Sequence, residues 1–157
     1  MDIQSFFPYR IAVFSERVSQ CIAQVYRERF GLTRDEWRVI AALAEAGKVR
    51  TAWIIDKTTL EKMQVSRAVA RLERDGLLER LPDPEDGRGW LLRLLPAGKA
   101  LYAKVVPMVQ ARETFLLDAL LPEEREVLDR ALTKLSERAE VLVRVVVLVP
   151  GAGVGST

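Results

Sequence analysis

The sequence predicts a mainly α fold with a small β wing, and three observations predict it. From about Glu61 to Asp75, Val65, Ala68, Val69 and Leu72 fall on one side of a helical wheel. Gln64, Arg67, Arg71 and Arg74 fall together on another side, about 130° away at roughly 100° per residue. A shorter helical segment, roughly Ala52 to Lys57, precedes this across a tight connection holding Thr58 and Thr59, and Gly76 follows where a left-handed cap is cheapest. Two short apolar runs, Leu77 to Leu81 and Trp90 to Leu95, then flank PDPEDGRG, whose prolines, glycines and acids have the composition of a hairpin tip. Helix, turn, helix and hairpin, in that order, make a winged helix-turn-helix.

The flanking elements follow from spacing. Ile11, Phe14, Val18, Cys21, Ile22 and Val25 recur every three or four residues, giving a first helix from about Ser5 to Arg29, with Pro8 tolerable in its first turn. Phe30-Gly31-Leu32 ends it. Thr33 followed by Glu36 is a capping-box pattern, and the helix it opens carries Trp37, Val39, Ile40, Leu43 and Ala44 and stops near Gly47. Lys48 to Thr51 is short enough for an edge strand. After the hairpin, Pro96 stands where a first helical turn begins, and a long helix runs through Leu101, Val105, Met108, Phe115 and Leu120, bent at Pro107. Pro122 starts the last helix, with Glu123, Glu124 and Glu126 near its positive end and an apolar stripe from Val127 to Val146. The expected organisation is a dimerisation helix over 5–30, the winged helix-turn-helix over 31–95, two dimerisation helices over 96–148 and a disordered tail over 149–157. The outer helices are too apolar for chain ends unless they pack on a second copy.

Composition narrows the function. The chain has 157 residues and no histidine, which removes the commonest general base and metal ligand. A single cysteine, Cys21, excludes an intramolecular disulfide and a Cys-rich zinc site. No metal or cofactor is expected, and no enzyme: the carboxylates at 83–86 stand on a loop tip without histidine or cysteine beside them. No signal peptide is apparent, and the longest apolar run, Val141 to Val149, is broken by Arg144 and too short to span a membrane, so a cytoplasmic protein is expected. A formal net charge of +2 gives no bulk argument for nucleic acid. The argument comes from arrangement: a helix that buries an aliphatic stripe and shows a Gln-Arg-Arg-Arg stripe can enter a major groove, where Arg and Gln match guanine and adenine edges.

With these pieces in order, the chain resembles the MarR family of bacterial transcriptional regulators from about Tyr9 to Leu142. GLTRDEWRVIAAL at 31–43, VSRAVARLERDGLLER at 65–80 and DPEDGRG at 83–89 carry the resemblance. It implies a homodimer on a palindromic operator in double-stranded DNA, usually as a repressor, often released by a small ligand or an oxidant. Carried over residue by residue, the DNA contacts are Lys62, Gln64, Ser66, Arg67 and Arg71, with Thr59 near a phosphate. In the wing, Asp86 orients Arg88 toward the minor groove, where a narrow groove concentrates negative potential. Two departures stand out. Leu95-Pro96 replaces the threonine cap that family members often have there, and glycine on both sides of Arg88 loosens the wing tip.

The resemblance also frames the signal. Small aromatic acids often bind between the dimer helices and the winged helix in the family, which puts Tyr9, Arg10, Trp37 and Trp53 forward as contacts for a small aromatic or phenolic ligand. Against this, Trp37 and Tyr9 also suit plain core positions. Peroxide-sensing members place their cysteine about two dozen residues before the Gly-Leu-Thr segment, which here falls near Tyr9. Cys21 lies ten residues before Gly31, on the apolar stripe and without a cationic neighbour, and is expected to be structural rather than redox-sensing. A winged helix used only for protein contact is the other alternative, and guanidinium groups on both the helix and the wing argue against it. The operator, the regulated genes and the sign of regulation are not legible.

Overall fold

The structure, a computed structural model, describes residues 1–148, with side chains described as far as residue 145; the expected tail over 149–157 lies outside the described residues. Residues up to Glu113 form one compact unit and those from Thr114 onward form a second.

The first unit runs α1 (Phe7–Phe30), α2 (Arg34–Ala46), β1 (Lys48–Arg50), α3 (Thr51–Lys57), α4 (Lys62–Arg74), β2 (Leu78–Pro82), β3 (Trp90–Leu94) and most of α5 (Pro96–Leu117). α1 starts two residues later than the spacing suggested, because Pro8 belongs in its first turn. It ends on Gly31, whose φ of 64° lets the Gly31 N–H reach the Arg27 carbonyl and the Leu32 N–H reach that of Tyr26. The Thr33–Glu36 capping box forms as read: the Glu36 N–H donates to Thr33 Oγ1 and the Thr33 N–H to Glu36 Oε2, both at 3.1 Å.

Strand order is β1-β3-β2, all antiparallel, so the hairpin gains Lys48–Arg50 as a third strand on the edge. Leu77 and Leu95 fall outside the strands, yet the Leu95 N–H donates to the Leu77 carbonyl at 2.9 Å and closes the hairpin's open end. Glu79 and Arg93 stand opposite each other and pair at 2.5 Å. The core gathers Tyr26 from α1, Val39, Ile40 and Leu43 from α2, Ile54 from α3, Val65, Val69 and Leu72 from α4, Leu78 and Leu92 from the sheet, and Val105 from α5. Each such side chain contributes about 1.5–3 kcal/mol by leaving water. That burial holds a short helix such as α3, which by itself is below the length a helix needs in water.

Gly98, in the first turn of α5, packs directly on the connector after α4: a Cβ there would stand 2.1 Å from the Leu77 carbonyl oxygen. No expectation covered this contact. Pro107 lies inside α5, where a bend was expected, and the helix carries on through it to Leu117. In the second unit, α6 (Pro122–Leu148) starts on its proline as expected. The Leu121 N–H donates to Glu124 Oε1 and Arg125 pairs with Asp118 at 2.7 Å. Its stripe residues Val127, Leu128, Leu132, Leu135 and Leu142 are all exposed in the single chain, as are Ile11 and Phe14 of α1.

Candidate nucleic-acid interface

α4 divides its faces as its sequence does. Val65, Ala68, Val69 and Leu72 are at most 2% exposed, whereas Lys62, Ser66, Arg67, Arg71 and Arg74 face solvent. The side chains of Lys62, Ser66 and Arg67 have no hydrogen-bond or ion-pair partner among the described residues. The other expected contacts are engaged within the chain. Gln64 Oε1 accepts the Glu61 N–H at 2.8 Å, so this side chain closes the helix start, and its amide nitrogen is what is left to donate. Thr59 Oγ1 accepts from Arg38 Nη1 at 2.5 Å. Arg71 Nη1 lies 3.6 Å from Glu36 Oε1, and that carboxylate is buried with its other oxygen in the α2 cap. Glu36 therefore links the start of α2 to the last turn of α4 through Arg71.

The wing loop spans residues 83–89. Asp86 holds the backbone at Arg88 and Gly89: the Arg88 N–H donates to Asp86 Oδ1 at 3.1 Å and the Gly89 N–H to the Asp86 carbonyl at 2.9 Å. The Arg88 side chain is exposed. At the base of the loop, sequence reasoning missed an ion pair. Arg50, the last residue of β1, donates its Nε to Asp83, whose side chain is 2% exposed, and its Nη2 lies 3.4 Å from Glu85. The hydrogen bond from Arg50 holds the Asp83 carboxyl below the usual carboxylate range, and the Glu85 N–H adds to this. Arginine and aspartate 33 residues apart give no local signal, though a lone arginine ending an edge strand opposite an acidic loop is a pattern that sheet pairing would have exposed.

The four residues expected at a ligand site divide between two places. Tyr9 and Arg10 line a cavity of about 380 Å³ with Gln4, Val13, Phe14 and Arg17. Trp37 and Trp53 line another, of about 580 Å³, whose walls include Arg38, Lys57, Thr59 and Tyr102. Within one chain these are separate sites. Trp37 is also stacked between Tyr26 and Tyr102, each ring centroid 5.8 Å from its own. It is thus half core and half cavity wall. Cys21 departs from expectation: it is half-buried, and Arg112 of α5 brings Nη1 to 3.9 Å from its sulfur, a cationic neighbour 91 residues away in sequence. Among the described residues no group of three or more Cys, Asp or Glu could hold a metal ion, and no helix is long and apolar enough to cross a membrane.

Comparison with known proteins agrees with this geometry. Residues 30–89 match the family model described as MarR family. The chain is 26% identical over 104 residues, 66% of its length and 77% of the relative's, to the transcriptional regulator HosA of Escherichia coli O111:H-. Among solved structures, a MarR/EmrR family transcriptional regulator from Acinetobacter sp. ADP1 superposes with a TM-score of 0.80 at 27% identity, covering 89% of this chain and 99% of that one. Bordetella bronchiseptica BpsR, whose DNA binding is regulated by 6-hydroxynicotinic acid, shares the fold with a TM-score of 0.78 at 24% identity, over 87% of this chain and 96% of that one.

Proposed function

We propose that this chain, which over residues 30–89 matches the MarR family model and is similar to regulators of that family, is a MarR-type transcriptional regulator that acts as a homodimeric, cytoplasmic repressor, binds a palindromic operator and leaves it when a small aromatic acid binds. The observation that carries the DNA reading is the division of α4. One face is buried to 2% or less, and on the other Lys62, Ser66 and Arg67 are exposed and have no partner among the described residues. These three, with the Gln64 amide and Arg88 on the wing, are the direct contacts in this reading. Thr59, Arg71 and Asp86, also expected at the DNA, position the reading helix and wing first. The exposed apolar stripes of α1 and α6 support the dimer, in which the helices over 5–30 and 96–148 cover one another. A two-fold axis then sets two α4 helices about 34–36 Å apart, in successive major grooves.

The ligand part rests on the larger aromatic cavity. Trp37, Trp53 and Tyr102 offer flat apolar walls, and Arg38 and Lys57 offer a cation for a carboxylate. Arg38 also holds Thr59 just ahead of α4, so an anion that takes the guanidinium loosens the approach to the reading helix.

The test is selection of duplexes from a random pool by the purified protein. Enrichment of an inverted repeat with half-sites about one helical turn apart is expected. Arg67→Ala should then weaken binding by about 1–3 kcal/mol and relax preference at one position of each half-site. No enrichment at moderate salt, with or without Arg67, would turn the reading toward a winged helix used for protein contact.

A further inference from the structure

The wing of this chain is built to be loose and is nevertheless tied down. Gly87 and Gly89 flank Arg88, which leaves the tip little stiffness of its own. The ties start outside the hairpin. Asp83 is buried at the loop's base, its Oδ2 held by Arg50 Nε, its Oδ1 accepting the Glu85 N–H at 3.0 Å, and its own N–H donating to the Gly89 carbonyl at 3.1 Å. Gly89 and Arg88 are in turn bound by Asp86. A continuous chain of hydrogen bonds therefore runs from β1 to the residue at the tip. Asp83 has one side-chain partner, Arg50, and a buried carboxylate that loses its cation must find water or turn outward. Either movement breaks the bond from the Glu85 N–H to the carboxylate and removes the anchor beside the backbone bond from Asp83 to Gly89.

We propose that Arg50 is a positioning residue for the wing: through Asp83 it preorganises residues 83–89 so that Arg88 meets the minor groove already in place. The proposal rests on the DNA-binding reading above for its functional half and on the loop geometry alone for its structural half. Preorganisation acts by removing the ordering penalty at the moment of binding, so its loss reads as a roughly three- to tenfold weaker complex.

The experiment compares Arg50→Gln, Arg50→Lys, Arg88→Ala and the double variant Arg50→Gln/Arg88→Ala, with Asp83→Asn as a second way to break the clamp should Arg50→Gln misfold. Amide hydrogen exchange is read first, without DNA. Faster exchange at Glu85, Arg88 and Gly89 in Arg50→Gln, with the α4 amides unchanged, is expected, and unchanged loop exchange would overturn the proposal. Affinity is then measured on the duplex that the unaltered protein selects most strongly. Arg50→Gln should weaken it, Arg50→Lys should recover part of the loss, and Arg50→Gln should add nothing once Arg88 is alanine. Additive losses would mean that Arg50 touches DNA by itself and would overturn the positioning role. If no duplex is selected, the DNA reading fails, and the exchange result still decides whether the clamp exists.

Discussion

Gly98→Ala tests the packing of α5 against the winged helix, because two rules give it opposite signs. Helix propensity alone says that alanine in place of a helical glycine stabilises by about 1 kcal/mol. The structure says otherwise. The new Cβ would stand 2.1 Å from the Leu77 carbonyl oxygen and 3.2 Å from Leu94 Cδ2, where ordinary contact begins near 3.4 Å. The carbonyl must then recede by roughly 1.3 Å, and it is the acceptor for the Leu95 N–H that closes the hairpin. Overpacking of this kind costs about 1–3 kcal/mol, and weakening that hydrogen bond adds about 0.5–1.5 kcal/mol. Set against the propensity gain, the net expectation is a loss of about 0.5–3.5 kcal/mol. Urea unfolding of the variant should show a lower midpoint at an unchanged slope. Gly87→Ala, where an added Cβ meets nothing within 4 Å, is the control and should move the midpoint little. A midpoint that rises for Gly98→Ala would refute the account, since only a yielding Leu77 would leave the propensity term in charge.

Two further outcomes follow from the same geometry. Thr33→Ala removes the acceptor for the Glu36 N–H and should lower stability by about 1 kcal/mol in the same urea assay; the Thr33 N–H that holds the Glu36 carboxylate is kept, so DNA affinity should change little. The Asp83 carboxyl is held below its usual value by Arg50, so the stabilisation it brings is fully present above the unfolded value of about 3.9 and is lost as pH falls through the lower folded value. Carbon NMR of the Asp83 carboxyl should therefore show a midpoint under that of free aspartate, and Arg50→Gln should raise it; equal midpoints would remove the clamp from the account.

What could be read from the sequence was whatever neighbours in the chain decide. Thr33 and Glu36 are three residues apart, so their cap was visible; the stripe Val65, Ala68, Val69 and Leu72 repeats with the helix and was visible for the same reason. Both hairpin strands were found to within a residue at each end, because proline and glycine punctuate them. A helical wheel, however, reports which face a residue occupies and says nothing of what comes to meet it. Arg71 stood on the polar face as read, and Glu36 arrived from α2 to pair with it. Arg112 reached Cys21 in the same way, and Arg50 reached Asp83 across the sheet. The capping role of Gln64 was missed for the opposite reason: its partner is local, but glutamine at the third position of a helix suits a groove contact and a cap equally well. The expected ligand residues shared aromatic or cationic character without sharing a place, and only the folded chain separates Tyr9 and Arg10 from Trp37 and Trp53.

The stack of Tyr26, Trp37 and Tyr102 also gives the protein an optical ruler of its own. At 5.8 Å, excitation absorbed by either tyrosine passes to the indole, so two of the three tyrosines in the chain are dark while the stack is closed. The tyrosine light that remains belongs to Tyr9, on the exposed start of α1. A rise in tyrosine emission thus marks the parting of α1, α2 and α5 around Trp37.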